Sequence, residues 1–169
     1  MLNFILFVLP AYIANAVPVI LGGGTPLDFK RKCRLDGRRF FGDSKTVRGF
    51  IAGVAGGTVS AGILTFFYPL PFFPDGKTQF IAGFALALGT MIGDALGSFI
   101  KRRMKVDAGK PFLLDNIFFL VIALIFAYPF TSSEVYQPLP IAFLLILTFI
   151  LHPLTNFLAN RFGLKKVPW

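Results

Sequence analysis

Two carboxylates in otherwise apolar surroundings open the question of chemistry. Asp94 lies in Leu88-Gly-Thr-Met-Ile-Gly-Asp-Ala-Leu-Gly97, about seven residues before a basic cluster. An ionised group in such a run costs a few kcal/mol unless it is paired, bound to a metal or set in a polar cavity. A structural salt bridge to a neighbouring segment would also account for it. On a helix, Asp94, Ser98, Lys101 and Lys105 share one face. Asp115 follows in Pro111-Phe-Leu-Leu-Asp-Asn116, at the start of the next apolar run. Pro111 is a good helix starter, and a helix dipole alone favours a carboxylate there. Two carboxylates on consecutive segments at one end can hold Mg²⁺ together with waters and phosphate oxygens.

A polar stretch, Phe41-Gly-Asp-Ser-Lys-Thr-Val-Arg-Gly49, supplies the complementary groups. Lys45, Arg48 and the hydroxyls of Ser44 and Thr46 can donate to phosphate oxygens, assisted by amides at a helix N-terminus. It is not a Walker A loop, because the required preceding glycine is missing. Taken alone, such a stretch is more often a solvated loop.

The elements that must position these residues are membrane spans. The chain has 169 residues, of which 55% are hydrophobic, and a mean hydropathy of +0.71, well beyond a soluble domain. Crossing a hydrocarbon core of about 30 Å takes roughly 20 apolar residues. Five segments reach that length, at about 2–21, 49–68, 80–100, 112–130 and 139–160. The expected fold is one all-α transmembrane domain over 1–169, with cytoplasmic loops 22–48 and 101–111.

The net charge of +9 could suggest nucleic acid, but the cations cluster in alternate connections. Loop 22–48 holds eight of them, segment 101–110 five, and the tail Arg161, Lys165 and Lys166. The positive-inside rule explains that pattern without a nucleic-acid partner and places the N-terminus outside and the C-terminus in the cytoplasm. The protein is then a multi-pass protein of the cell membrane, with its site facing the cytoplasm. Homodimerisation is left open by the sequence. The lone Cys33 excludes an intrachain disulfide. Small-residue stripes, Gly49, Gly53, Gly57 and Ala61 on the second span and Gly89, Gly93 and Gly97 on the third, predict that these two spans pack closely. Asn15, His152, Asn156 and Asn160 read first as interhelical hydrogen-bonding residues, with a place at the border of a polar cavity as the alternative.

The two carboxylates do not fall at one height in this scheme. Asp94 precedes Arg103 by about 14 Å of helical rise, whereas Asp115 lies about 6 Å past Pro111. The third helix would have to project and the connection 104–110 fold back.

These motifs resemble the CTP-dependent phosphatidate cytidylyltransferases, a family that takes in CDP-diacylglycerol synthases and shorter archaeal CDP-archaeol synthases. Ser44-Lys-Thr-Val-Arg-Gly49 is similar to the family's Ser-x-Lys-Thr-x-x-Gly type element, and Gly93-Asp94 with Lys101-Arg102 to its Gly-Asp and downstream Lys-Arg. Asp107-Ala-Gly109 and Asp115 are similar to the following Asp-x-Gly and final Asp. Pro111 to Asn116 departs from the bacterial ending. Gly23-Gly-Thr-Pro-Leu-Asp28 and Gly163-Leu-Lys-Lys-Val-Pro-Trp169 agree instead with the compact archaeal branch.

The resemblance implies transfer of cytidylyl from CTP to a membrane lipid phosphate, 2,3-bis-O-(geranylgeranyl)-sn-glycerol 1-phosphate. It implies Asp94 and Asp115 as ligands of Mg²⁺ and Lys45 with Lys101 or Arg102 on the triphosphate. Ser44, Thr46, Arg48 and Asp107 become substrate contacts, and Arg38 or Arg39 a contact to the lipid phosphate. A phosphatidate-specific enzyme and a membrane cation transporter, with Asp94 and Asp115 as an ion site, are the competing readings.

Overall fold

A computed structural model of the chain describes residues 1–34, 36–106, 110, 112–165 and 167. Five α-helices form: α1 Leu2–Leu21, α2 Val47–Phe67, α3 Gly76–Arg103, α4 Phe118–Ala127 and α5 Pro138–Arg161. Short 3-10 turns occupy Leu113–Asn116, Tyr128–Phe130 and Ser133–Tyr136. Among the described residues no strand forms. Helices α1, α2, α3 and α5 are each long and apolar enough to cross a bilayer, and Phe118–Phe130 is a shorter apolar segment. At 1.5 Å per residue that segment spans about 20 Å, short of the hydrocarbon core.

Helix α3 is the central pillar. Of its apolar stretch 61% is buried, against 28% for α1, 17% for α2 and 11% for α5. It begins four residues before the expected span, because Asp75 caps it by accepting from the Thr78 amide at 2.7 Å. The polar Gln79 in its first turn is buried, accepting from the Leu70 amide at 2.8 Å and donating to the Tyr68 carbonyl at 3.1 Å. A side chain that satisfies the backbone of the preceding turn can be buried at little cost.

The glycine stripes work, but not only between α2 and α3. A Cβ on Gly57 would lie 2.5 Å from the Ala87 Cβ of α3 and 2.7 Å from the Pro10 carbonyl oxygen of α1. The α2 stripe therefore seats α2 against both helices. On α3, a Cβ at Gly93 would lie 2.9 Å from the Phe119 Cα, so its Gly89 and Gly93 face α4. Close backbone approach replaces the hydrophobic drive that is absent between helices in lipid.

Helix α4 starts at Phe118, six residues later than the expected span. Asp115 and Asn116 lie in the preceding 3-10 turn, and Asp115 lines a partly polar cavity beside α3. Asp115 is thus not in the first turn of an α-helix. The chain reverses directly after α3: Lys105 takes a left-handed φ of 61°, and the Val106 amide donates back to the Lys101 carbonyl at 3.1 Å.

At the opposite end, the connection after α2 is folded onto α1 and α4. Leu70, Phe72, Val135 and Leu144 join Phe7, Leu120 and Leu124 in one apolar cluster, and the rings of Phe4 and Phe72 stack at 4.8 Å. All three basic clusters lie at the other end. Arg103 at the close of α3 donates to the Arg39 carbonyl at 2.8 Å and pairs with Asp36 at 3.1 Å, which ties α3 to loop 22–46.

Candidate active site

Loop 22–46 is organised by a residue whose role its sequence did not announce. The Asp28 side chain is 1% exposed and pairs with Arg39 at 2.5 Å. Its oxygens also accept from the amides of Lys30 at 3.0 Å and of Phe41 and Gly42 at 3.1 Å. Burial alone would raise this carboxyl; the Arg39 guanidinium and the three amides outweigh it and hold the group well below the usual carboxylate range. Gly42 makes this possible with φ of +97°, a region closed to most side chains. Two backbone clamps then close the loop: the Leu27 amide donates to the Lys45 carbonyl at 2.7 Å and the Val47 amide to Thr25 at 3.0 Å.

Clamped in this way, the loop delivers Lys45 and Thr46 to the start of α2. Thr46 is the N-cap. Its Oγ1 accepts from the Gly49 amide at 3.1 Å and from the Gly23 amide at 3.2 Å, which leaves its hydroxyl proton to donate. The Lys45 Nζ reaches across to α3 and lies 2.7 Å from both carboxylate oxygens of Asp94.

A second lysine–carboxylate pair repeats the arrangement. Lys101, one helical turn past Ser98 on α3, is hydrogen-bonded and ion-paired to Asp115, whose 3-10 turn places it beside α3 despite the difference in helical height. The carboxylates keep contact with solvent, with side chains 29% exposed for Asp94 and 36% for Asp115. Arg102 is buried beside Gly42 and donates to the Val106 carbonyl at 2.6 Å.

Both pairs open onto one cavity of about 370 Å³, within the range of small-molecule sites. Ser44, Lys45, Thr46, Asp94, Lys101, Arg102, Lys110, Asp115 and Lys165 supply its polar and charged lining, along with Asn15, His152 and Asn156. Val19, Leu27, Phe50 and Met91 form part of an apolar wall. Cations outnumber carboxylates, so the cavity suits a polyanion. Asn15 donates to the His152 Nδ1 at 3.2 Å, joining α1 to α5. Asn15 and His152 therefore both bridge helices and border the cavity, Asn156 borders it while bonding to Lys165, and Asn160 does not line it.

Arg38, Arg39 and Arg48 do not line it. Arg39 is committed to Asp28 and to Asp43, at 3.0 Å; Arg38 lies in the turn beside it, its amide donating to Asp36. Arg48 points outward from the first turn of α2. Asp107 lies outside the described residues. Asp28 and Lys165 fall within quoted motifs but received no role from sequence reasoning. The signal for the second was Gly163, a helix-ending glycine two residues before it.

Apolar helices around a cation-lined chamber, with two lysine-paired carboxylates at one end, define a polytopic membrane protein with a polar cavity among its helices. Comparison with known proteins makes this specific. The family model for CarS-like CDP-archaeol synthases matches residues 1–169. CDP-archaeol synthase of Pyrococcus furiosus is 48% identical over 96% of this chain and 95% of its own. That of Archaeoglobus fulgidus is 42% identical over 99% and 97%. A solved structure described as "Structural insight into an intramembrane enzyme for archaeal membrane lipids biosynthesis" aligns with a TM-score of 0.79 and 33% identity, covering 90% of this chain and 91% of that one. The chain belongs to the CarS-like CDP-archaeol synthase family.

Proposed function

We propose that the protein transfers cytidylyl from CTP to 2,3-bis-O-(geranylgeranyl)-sn-glycerol 1-phosphate, giving CDP-unsaturated archaeol and diphosphate. The observation that carries this reading is the pair of lysine–carboxylate contacts, Lys45–Asp94 and Lys101–Asp115, opening onto one cation-rich cavity. In the reaction an oxygen of the lipid phosphate bonds to the α-phosphorus of CTP. The bond from that phosphorus to the bridging oxygen of the leaving diphosphate breaks.

A phosphate monoester has its second pKa near 6 and is already a nucleophile at neutral pH, so no side chain need remove a proton. The task left to the chain is to hold two anions in line and neutralise their charge. Lys45 and Lys101 are placed to turn from their carboxylates to phosphate oxygens, with Arg102 beside them and the Ser44 and Thr46 hydroxyls at the rim. The Val19, Leu27, Phe50 and Met91 wall gives the same cavity an apolar surface for the lipid acceptor to lie against.

The donor set also suits Mg²⁺. Among the described residues no group of three or more His, Cys, Asp or Glu gathers, so the protein would contribute Asp94 and Asp115, with phosphate oxygens and water completing the shell of this hard ion. When bound, Mg²⁺ would supply charge neutralisation at the phosphoryl oxygens. The basic end is assigned to the cytoplasm of the cell by the positive-inside rule, with the N-terminus outside.

Purified protein with labelled CTP, Mg²⁺ and the lipid phosphate tests this. Asp94→Asn and Asp115→Asn are each expected to lower turnover by about 100-fold or more while remaining monodisperse in detergent. Full turnover by either variant, or by wild-type protein in excess EDTA, overturns the metal assignment. Equal turnover of phosphatidate would widen the acceptor. Magnesium flux into liposomes without nucleotide consumption would favour transport.

A further inference from the structure

Helix α5 is held loosely by its neighbours, with only 11% of its apolar stretch buried, and two polar bridges to α1 fix its register. The Thr148 Oγ1, wholly buried, donates to the Leu144 carbonyl at 2.6 Å. Its proton is thereby used, so the Tyr12 hydroxyl, 2.7 Å away, is the donor to it. One turn nearer the basic end, Asn15 Nδ2 donates to His152 Nδ1 at 3.2 Å. The first bridge lies outside the cavity and needs no ionisable group, whereas the second borders it. Neutral hydroxyls and amides suffice to join helices in lipid, and an ionisable ring inside a span is costly. His152 therefore calls for a function beyond the bridge.

His152 lies nine residues before Arg161 at the end of α5, as Asp94 lies nine before Arg103 at the end of α3. Each is about 14 Å from the basic end along its helix, and both line the cavity. The imidazole is fixed by the Asn15 amide on Nδ1 and by the buried Phe119 ring, whose centroid is 5.3 Å from its own. An amide nitrogen can only donate, so Nδ1 must accept and the proton of the neutral ring sits on Nε2. We infer that His152 donates this Nε2–H to a phosphoryl oxygen of a substrate in the cavity, and that Asn15 is the positioning residue that sets its tautomer. A neutral donor strengthens as charge gathers on phosphoryl oxygens, without adding a cation to a chamber already rich in them. The inference rests on the cytidylyl-transfer reading, in which both substrates carry phosphate.

His152 is the sole histidine, so the untagged full chain carrying nitrogen-labelled histidine gives one pair of ring signals by NMR in detergent. Nε2 is expected to be protonated and Nδ1 bare, and Asn15→Leu should mix the two tautomers. The Nε2 signal is then followed on addition of CTP with Mg²⁺, of diphosphate with Mg²⁺, and of the lipid phosphate alone. A shift with CTP or diphosphate assigns the oxygen to the nucleotide, and a shift with the lipid phosphate assigns it to the acceptor. No shift with any of the three overturns the inference, as does a protonated Nδ1 in the wild-type protein.

Kinetics separate a donor from a helix clip. His152→Gln places an amide nitrogen near the position of Nε2 and should keep kcat/KM within about threefold of wild type. His152→Asn places one near Nδ1, keeps only the bridge, and should lose about tenfold or more. Tyr12→Phe breaks the other bridge and should lower the melting temperature while kcat/KM stays near wild type. Equal activities of the Gln and Asn variants, or a loss in Tyr12→Phe matching that of His152→Asn, would mark His152 as structural and sink the proposal. Wild-type protein that never turns over CTP rejects cytidylyl transfer instead. His152 is then judged on the Nε2 signal with diphosphate and with the lipid phosphate.

Discussion

At the scale of single residues, the site depends on two kinds of carboxylate. Asp28 is buried and fully partnered, so it builds a loop; Asp94 and Asp115 keep solvent contact and one lysine each, so they are available to a ligand. Asp28→Asn should leave Arg39 and three loop amides with a weaker acceptor and cost about 3 kcal/mol of local stability, as breaking a buried pair does. Faster tryptic cleavage within residues 22–46 would register the loss. The pH dependence follows from the direction of the shift. The folded carboxyl titrates below its unfolded value, near 3.9. Its stabilisation is therefore complete above about pH 5 and is lost only as pH falls through the lower folded value. Wild-type loop protection should be unchanged between pH 7 and 5. Thr46→Val removes the cap acceptor of two amides and should lower the melting temperature by an amount equivalent to about 1 kcal/mol.

At the scale of elements, α3 holds the site because α1, α2 and α4 all pack against it. Its glycine face against α4 sets the distance between Lys101 and the turn that carries Asp115. Gly93→Val would drive a side chain into the Phe119 backbone, 2.9 Å from its Cβ. We expect a cost of about 1–3 kcal/mol, read as a lowered melting temperature in detergent, with activity falling in parallel as Asp115 is displaced. Gly97→Ala is the matched control, because its Cβ would meet the Phe118 Cδ1 at an ordinary 3.5 Å and should be tolerated. The left-handed Lys105 after α3, and Gly163 after α5, do similar work for the two polar segments, turning each back toward the cavity.

At the scale of the whole molecule, one end of the bundle is apolar and aromatic and the other gathers the cationic loops around the cavity. Substrate recognition by so cationic a chamber should weaken as salt rises. The KM for CTP is expected to increase steadily between low and about 0.5 M ionic strength, and a flat profile would count against charge steering. Orientation gives a further expectation. Trypsin should cleave at the exposed Lys30, Arg31 and Lys32 in inverted membrane vesicles and spare them in right-side-out ones, as a cytoplasmic basic end requires.

The sequence by itself determined the helical membrane fold, because apolar length and the alternation of cations are one-dimensional properties of the chain. It also marked Asp94, Asp115 and Lys45, since an ionised group beside an apolar run is costly wherever the chain goes. Which cations belong with those carboxylates was decided only in three dimensions. Arg39 looks as available in sequence as Lys45, yet Asp28, eleven residues before it, occupies its guanidinium, while Lys45 crosses from the loop before α2 to α3. Lys101 and Asp115 lie on separate elements, and only the left-handed turn at Lys105 and a 3-10 turn bring them together. Lys165 lies 120 residues from Lys45 in the chain and shares its cavity because Gly163 reverses the backbone there. Pairing between distant segments depends on the register and tilt of packed helices, which small residues and left-handed turns set locally but only the assembled bundle resolves.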